Sequence, residues 1–247
     1  KLERIKIQSQ IFTPKFIIPF ASFVRFSHKD NFYMNDEMNQ IQDVEKFILS
    51  KTNSIPIILY PGDEWSGKNE NDNAIAIKNY QLDLEKNKEI YKKIDLIEDE
   101  KLQSLALSYI ENLKKRNNWF FITLLHKIQF FKTTTIFLND KNLSYKFNLI
   151  DGLQKFQMKK SEVDIITDSD SLGFVFSWDY GMDTLFVNAR FRTSGGKVMN
   201  FFRLFLIGTL NNNGRTFPMG VIGFLFNEKS MWKTKFLEII LGKYAIK

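Results

Sequence analysis

Two histidines and no cysteine leave this chain few ways to do chemistry. His28 stands between a strand-like aromatic run and a polar, turn-like cluster, Ser27-His-Lys-Asp-Asn-Phe-Tyr-Met-Asn-Asp36. A neutral imidazole suits zinc or iron, and a strand end fixes a ligand while the loop beside it stays open. His28 is therefore the one candidate metal ligand. Its other roles are a substrate contact at a pocket rim and a purely structural histidine. Asn31 and Tyr33 are candidate hydrogen-bond donors to a substrate at the same place. Asx-turn and helix-cap chemistry accounts for Asp30 and Asp36 without one. Arg25 suits an anionic group, although an exposed cross-strand partner is the simpler reading. In Pro61-Gly-Asp63 the carboxylate of Asp63 is placed to orient a ligand histidine from behind, or simply to close a turn. His126 lies in the apolar run 119–128 with no carboxylate near it in sequence, and reads as a core or interface histidine.

Other catalytic devices are missing from the sequence. There is no Gly-rich phosphate loop, no Gly-x-Ser-x-Gly and no His-Glu-x-x-His. Without cysteine there are no disulfides, thiolate nucleophiles or zinc fingers. Two histidines cannot build a His-rich binuclear centre, and no Asp/Glu spacing suggests calcium or magnesium.

Elements must position these residues, and the composition provides for them. Of the 247 residues 44% are hydrophobic and 15% aromatic, ample for a core. The net charge of +7 and pI near 9.3 permit anionic partners. The basic residues are scattered among carboxylates, however, and the densest group, Lys114-Lys-Arg116, closes an expected helix where cations suit the dipole. No nucleic-acid partner is expected. No run reaches the roughly 18 apolar residues that span a bilayer, and a cytoplasmic protein is expected.

Residues 16–26 read as a buried strand, a helix runs from Asn35 or Asp36 to about Leu49, and 55–60 is a second strand stopped by Pro61-Gly62. This strand-helix-strand unit implies α/β layering. Residues 63–75 read as a polar loop, followed by two helices. The second carries an apolar stripe, Leu102, Leu105, Ala106, Tyr109, Ile110 and Leu113. Beyond 118 the expected strands are 133–138 and 143–149, joined by Asn139-Asp-Lys-Asn142. Then come a strand 163–167, a helix capped within Asp168–Ser171, a strand 184–192, a turn at Ser194-Gly-Gly196 and a helix 198–210. The organisation expected is 1–62, a helical connector 63–117, and a small α+β domain 118–247. The aromatics Phe174, Phe176, Trp178, Phe186, Phe201, Phe202 and Phe205 either fill its core or line an apolar cavity. The basic, amphipathic stretch 231–241 suits a membrane surface or a partner helix.

Two segments carry a resemblance. Pro19-Phe-Ala, with His28 after it, and Ile57-Ile-Leu-Tyr-Pro-Gly-Asp63 resemble consecutive segments of the metallo-β-lactamase fold. The branch is that of the lactonase-like hydrolases and CMP-N-acetylneuraminate hydroxylase. The resemblance covers about residues 16–63. The family's metal motif, His-x-His-x-Asp-His, appears nowhere in the 247 residues. It therefore implies the back part of a sandwich, carrying the active-site rim (His28, Asn31, Tyr33) of a metal-dependent hydrolase for a small-molecule substrate. An oxygenase of the sialate-hydroxylase type is the neighbouring alternative. Zinc or iron would be held mostly by residues preceding Lys1, activating a water for attack, and no cofactor is expected in this chain alone. The element pattern after residue 132 resembles the sterol-carrier-protein-2-like fold, which implies an apolar-ligand module. A dimerisation module, giving a homodimer, is the third reading.

Overall fold

A computed structural model of the chain describes residues 2–20, 23–68, 71–87, 93–193 and 198–220. They belong to two compact units, Lys1–Lys92 and Lys93–Lys247. The fold is mixed α/β, with eight α-helices and two sheets among the described residues. The two helices expected to form one connector are divided between the units.

In the first unit α1 (Leu2–Phe12) packs on α2 (Ile41–Lys51). The strands β1 (Phe16–Ile17) and β2 (Ile55–Pro56) pair in parallel, so β1–α2–β2 is a crossover unit as expected. Both strands are far shorter than expected. The pairing is extended at its ends by bonds from Ile55 N to Lys15 O and from Ile57 N to Ile17 O, both 2.9 Å. Beyond them Phe20 and Val24 are exposed, so the aromatic run is not a buried strand. The helix also starts later than Asn35. A 3-10 turn, Phe32–Asn35, comes first, and the Asn35 side chain is engaged elsewhere, so α2 begins at Ile41 without a side-chain cap. Its buried face is Ile41, Val44 and Ile48, at helical spacing. Met38 lies outside the helix. α3 (Asn73–Lys86) completes the unit and is capped by Asp72.

The second unit is built on a five-stranded sheet: β3 (Thr134–Leu138), β4 (Leu143–Asn148), β5 (Gly152–Lys155), β6 (Ile165–Thr167) and β7 (Arg192–Thr193). The spatial order is β5-β4-β3-β6-β7, antiparallel except for the central β3–β6 pair. The helices α4 (Asp99–Arg116), α6 (Ser169–Ser177), α7 (Gly181–Asn188) and α8 (Val198–Asn212) pack together, with α4 also against β5. The expected stripe of α4 supplies the buried Leu102, Ala106, Ile110 and Leu113. α5 (Trp119–Lys127) adds the buried Ile122 to the same core. One face of the sheet, through Ile136, Tyr145, Phe147, Leu153 and Ile165, joins these helices in one core.

The stretch expected as a strand over 184–192 is mostly helix, with only Arg192–Thr193 in β7. Met182 and Leu185 are buried while Phe186 and Val187 are exposed, a helical and not an alternating division. Gly181 permits the tight α6–α7 junction, because a Cβ there would lie 2.7 Å from the Val175 Cα. Of the spare aromatics, Phe176 and Trp178 border a small depression of about 50 Å³ together with Tyr109. Phe176 and Phe205 are buried against Phe147 and Tyr109, and buried Phe201 packs on Phe205, while Phe174, Trp178 and Phe186 are exposed. The turn expected at 194–196 and the stretch 231–241 lie outside the described residues. Among the described residues no helix is long and apolar enough to cross a membrane.

Candidate functional site

The polar segment around His28 is held by two asparagines. Asn31 is 2% exposed, and its Oδ1 accepts from the His28 backbone N–H at 3.2 Å. Its own N–H donates to the His28 carbonyl, also at 3.2 Å. Residues 28–31 are thus closed into a β-turn, tied in both directions, with the histidine at its start. Asn35 makes the second clamp. Its Nδ2 donates to the Phe26 and Phe32 carbonyls at 2.9 and 2.8 Å, and its Oδ1 accepts from Phe26 N–H at 2.8 Å. One amide side chain therefore replaces the ladder partners that the chain at Phe26 lacks. The Arg25 guanidinium lies 5.1 Å from the centre of the Phe32 ring, a cation–π contact.

Of the four residues singled out from the sequence, His28, Asn31 and Tyr33 lie on one segment and Asp63 on another. His28 is half-buried and shares the turn with Asn31, whose Oδ1 accepts within that turn. Tyr33 is 63% exposed on the same segment. The Asp63 Oδ2 accepts from Tyr60 N–H at 2.8 Å, and the Asp63 N–H donates back to the Tyr60 carbonyl at 2.8 Å. It closes the Pro61-Gly62 turn, where Gly62 has φ +98°. His126 is partly buried in α5, its Nδ1 2.8 Å from the Phe131 carbonyl.

Sequence reasoning missed the tyrosine and asparagine cluster beside β2. Tyr60 and Tyr80 meet edge to face with centroids 5.1 Å apart, and Phe23 lies 5.5 Å from Tyr80. The Tyr60 hydroxyl donates to Asp83, which raises its pKa above the usual tyrosine value. Burial does the same for Tyr80, whose hydroxyl donates to the Leu59 carbonyl. Neither phenol is an activated base. Asn73 fastens three elements: its Oδ1 accepts from Ile58 N–H at 2.8 Å, and its Nδ2 donates to Glu45 at 2.8 Å and to the Pro56 carbonyl at 2.9 Å. The Asn-rich composition of 69–73 was the available signal, and it pointed as readily to a loop.

Among the described residues no three His, Cys, Asp or Glu side chains converge in a way that could hold a metal ion. His28 belongs to no such group among the described residues. No protein-family model, curated protein or solved structure matches this chain.

Proposed function

We propose that residues 16–63 form the substrate-facing rim of a metal-dependent hydrolase of metallo-β-lactamase fold, with residues 93–247 as an appended module. The observation that supports it is the clamped segment 26–35, carried on a parallel crossover unit. Two asparagine side chains hold its backbone, leaving a half-buried imidazole and an exposed phenol on one short stretch. Loops that a scaffold holds this firmly are where binding residues concentrate. In this reading His28 and Tyr33 contact substrate, Asn31 shapes the turn that presents His28, and Asp63 sets the neighbouring turn. The metal is held by other residues, and zinc or iron is its expected identity. The sialate-hydroxylase-type oxygenase differs in the chemistry of that metal, not in this rim.

The test is metal analysis of the natural gene product together with two substitutions. The reading expects a transition metal, hydrolysis of an ester, lactone or related substrate, and turnover lost in His28→Ala with the metal retained. Metal lost with His28→Ala would make the histidine a ligand instead. A gene product with neither a transition metal nor hydrolytic activity would end the reading. Tyr33→Phe separates a hydrogen-bonding phenol, seen as a raised KM, from a bystander.

A further inference from the structure

The helix α5 carries apolar surface that neither the core nor the rim reading uses. Its sequence, Trp119-Phe-Phe-Ile-Thr-Leu-Leu-His-Lys127, is apolar on almost every side. On the inner side Ile122 is buried, and Trp119 and Leu125 pack against the core. The outer side is uncovered. Phe120 is 70% exposed and Ile128, at the end of the helix, 66%, with Phe121 and Leu124 exposed between them. Positions 120, 124 and 128 follow helical spacing and 121 lies beside 124, so the four make one stripe. The Phe120 and Phe121 rings meet edge to face at 5.6 Å. A helix apolar all round is ordinarily covered on every side. A continuous exposed stripe marks a contact surface, unlike apolar residues scattered singly.

The charge along this stretch selects the partner. Between Glu111 and Asp140 the chain has no acidic residue but five cations, Lys114, Lys115, Arg116, Lys127 and Lys132. Lys114 is paired with Glu111. The other four are exposed and make no ion pair among the described residues. Lys127 follows Phe120 by seven residues, two turns along the same side of α5. Lys115 and Arg116 end α4 just before it. The chain returns to this end of α5 at Phe217, whose carbonyl accepts from Asn118 N–H at 3.0 Å and whose N–H donates to Asn117 Oδ1 at 2.7 Å. Met219, two residues further, is exposed, and the sequence 221–247 that follows has five lysines against two glutamates. A second copy on the stripe would set the same cations against each other, and residues 221–247 would bring more of them. An anionic surface attracts them all.

We propose that α5 docks the second unit on an anionic lipid surface. Phe120, Phe121, Leu124 and Ile128 enter the boundary between headgroups and acyl chains, while Lys127 and the Lys115-Arg116 end of α4 meet the phosphates. An interfacial helix has this division, with large apolar side chains on one side and basic residues at its edges. Four apolar side chains standing out from one helix suit insertion among lipids, whereas an acidic protein would lay carboxylates against them. The docking face does not depend on the rim reading.

Co-sedimentation of the full chain with phosphatidylcholine vesicles, with and without phosphatidylserine, tests it. Binding should be at least about tenfold tighter to the serine-lipid vesicles, and added salt should weaken it, as screening requires. Lys127→Gln should weaken it about fivefold, the scale of one lysine at an anionic surface. The Phe120→Ser/Ile128→Ser double variant should weaken it at least about tenfold, because insertion scales with the apolar area it buries. Both side chains are mostly exposed, so this variant should keep the circular dichroism and urea midpoint of the wild type. Equal binding to both vesicles, wild-type binding by the serine double variant, or preference for polyglutamate over vesicles would each overturn the proposal. So would binding to neither vesicle, and a dimer that the serine double variant dissociates would then assign the stripe to a second copy.

Discussion

The two compact units hold their chains in place by different means. In the first, strand pairing spans two residues a side, and one buried cluster contains only Ile41, Ile58 and Ala76. Asparagine side chains fill the gap: Asn31, Asn35, Asn71 and Asn73 each bond backbone that a longer sheet would have paired. In the second, a five-stranded sheet satisfies its own backbone, and a large aromatic and aliphatic core joins it to its helices. Buried area is non-directional and forgiving of small changes, whereas an amide clamp serves two or three specific groups at once. The first unit should therefore be sensitive to single polar deletions and the second to cavities. That difference also suits the proposed roles, since a rim needs its loops held in one conformation.

The largest expected effect is a cavity in the second unit. Phe205 is 2% exposed and meets the rings of Tyr109, Phe147, Phe176 and Phe201. Phe205→Ala should cost about 3–5 kcal/mol, the range for a phenylalanine removed from a packed core. Urea unfolding followed by circular dichroism measures it. A loss under about 1 kcal/mol would mean that this core is loosely packed and that the contrast between units fails.

The counterpart in the first unit is Asn73→Ala. It strands the Ile58 N–H and the Pro56 carbonyl, both in buried surroundings. The expected cost is about 2 kcal/mol, set by unsatisfied groups and not by lost area. Asn73→Asp keeps the acceptor for Ile58 but puts a second carboxylate against Glu45, so it should recover less than half of that loss. Full recovery would show that only the Ile58 bond matters.

Much of the second unit could be read from its residues, and the reasons are particular. The stripe on α4 repeats over three turns, so Leu102, Ala106, Ile110 and Leu113 identify the helix and its buried face together. Asp168 announces α6, and its Oδ1 does accept from Ser171 N–H. The run 184–192 misled because a short apolar stretch fits periods of 2 and 3.6 equally well, and the close α6–α7 packing decided between them. In the first unit the aromatic run 16–26 has strand composition but lacks a partner strand long enough to pair with it. Of the candidate site, the turn at Asp63 could be read from residue type, whereas Asn31, read as a donor to substrate, closes a turn on His28. The grip of Asn35 on Phe26, nine positions away, could not be read, because nothing local requires it.

A smaller effect probes the junction that the apolar pattern concealed. Gly181→Ala would place a Cβ 2.7 Å from the Phe174 carbonyl oxygen and the Val175 Cα, both backbone atoms that cannot rotate away. The helices must separate slightly, at about 1–3 kcal/mol. Gly62→Ala is the matched control in the first unit. It has φ +98° but no atom within 4 Å of its built Cβ, so the cost is backbone strain alone, about 1 kcal/mol. Equal losses at both sites would mean that the α6–α7 contact is not tight.

The smallest effect tests the one place where the second unit also relies on a polar clamp. Asp99, in the first turn of α4, receives Lys141 Nζ at 2.9 Å, Lys155 Nζ, and the Tyr145 hydroxyl at 2.8 Å. The hydrogen bond from Lys155, then those from Lys141 and Tyr145, hold its carboxyl well below the usual carboxylate range against the opposing effect of burial. Burial and the same carboxylate raise the Tyr145 hydroxyl, so it stays a donor at any working pH. A folded-state pKa below the unfolded one means that Asp99 stabilises the fold above the ordinary carboxylate value near 4. That contribution fades as pH falls from there toward the folded value. Lys155 is 60% exposed, so solvent screening limits the contribution to about 1 kcal/mol. Asp99→Asn keeps an acceptor for Tyr145 and removes only the charge. Between pH 5 and pH 3 the wild type should lose part of that contribution relative to this variant in urea titrations, and the difference should go on closing below pH 3. Parallel curves across that window would mean that the clamp orders the start of α4 without stabilising it, leaving the second unit held by its core alone.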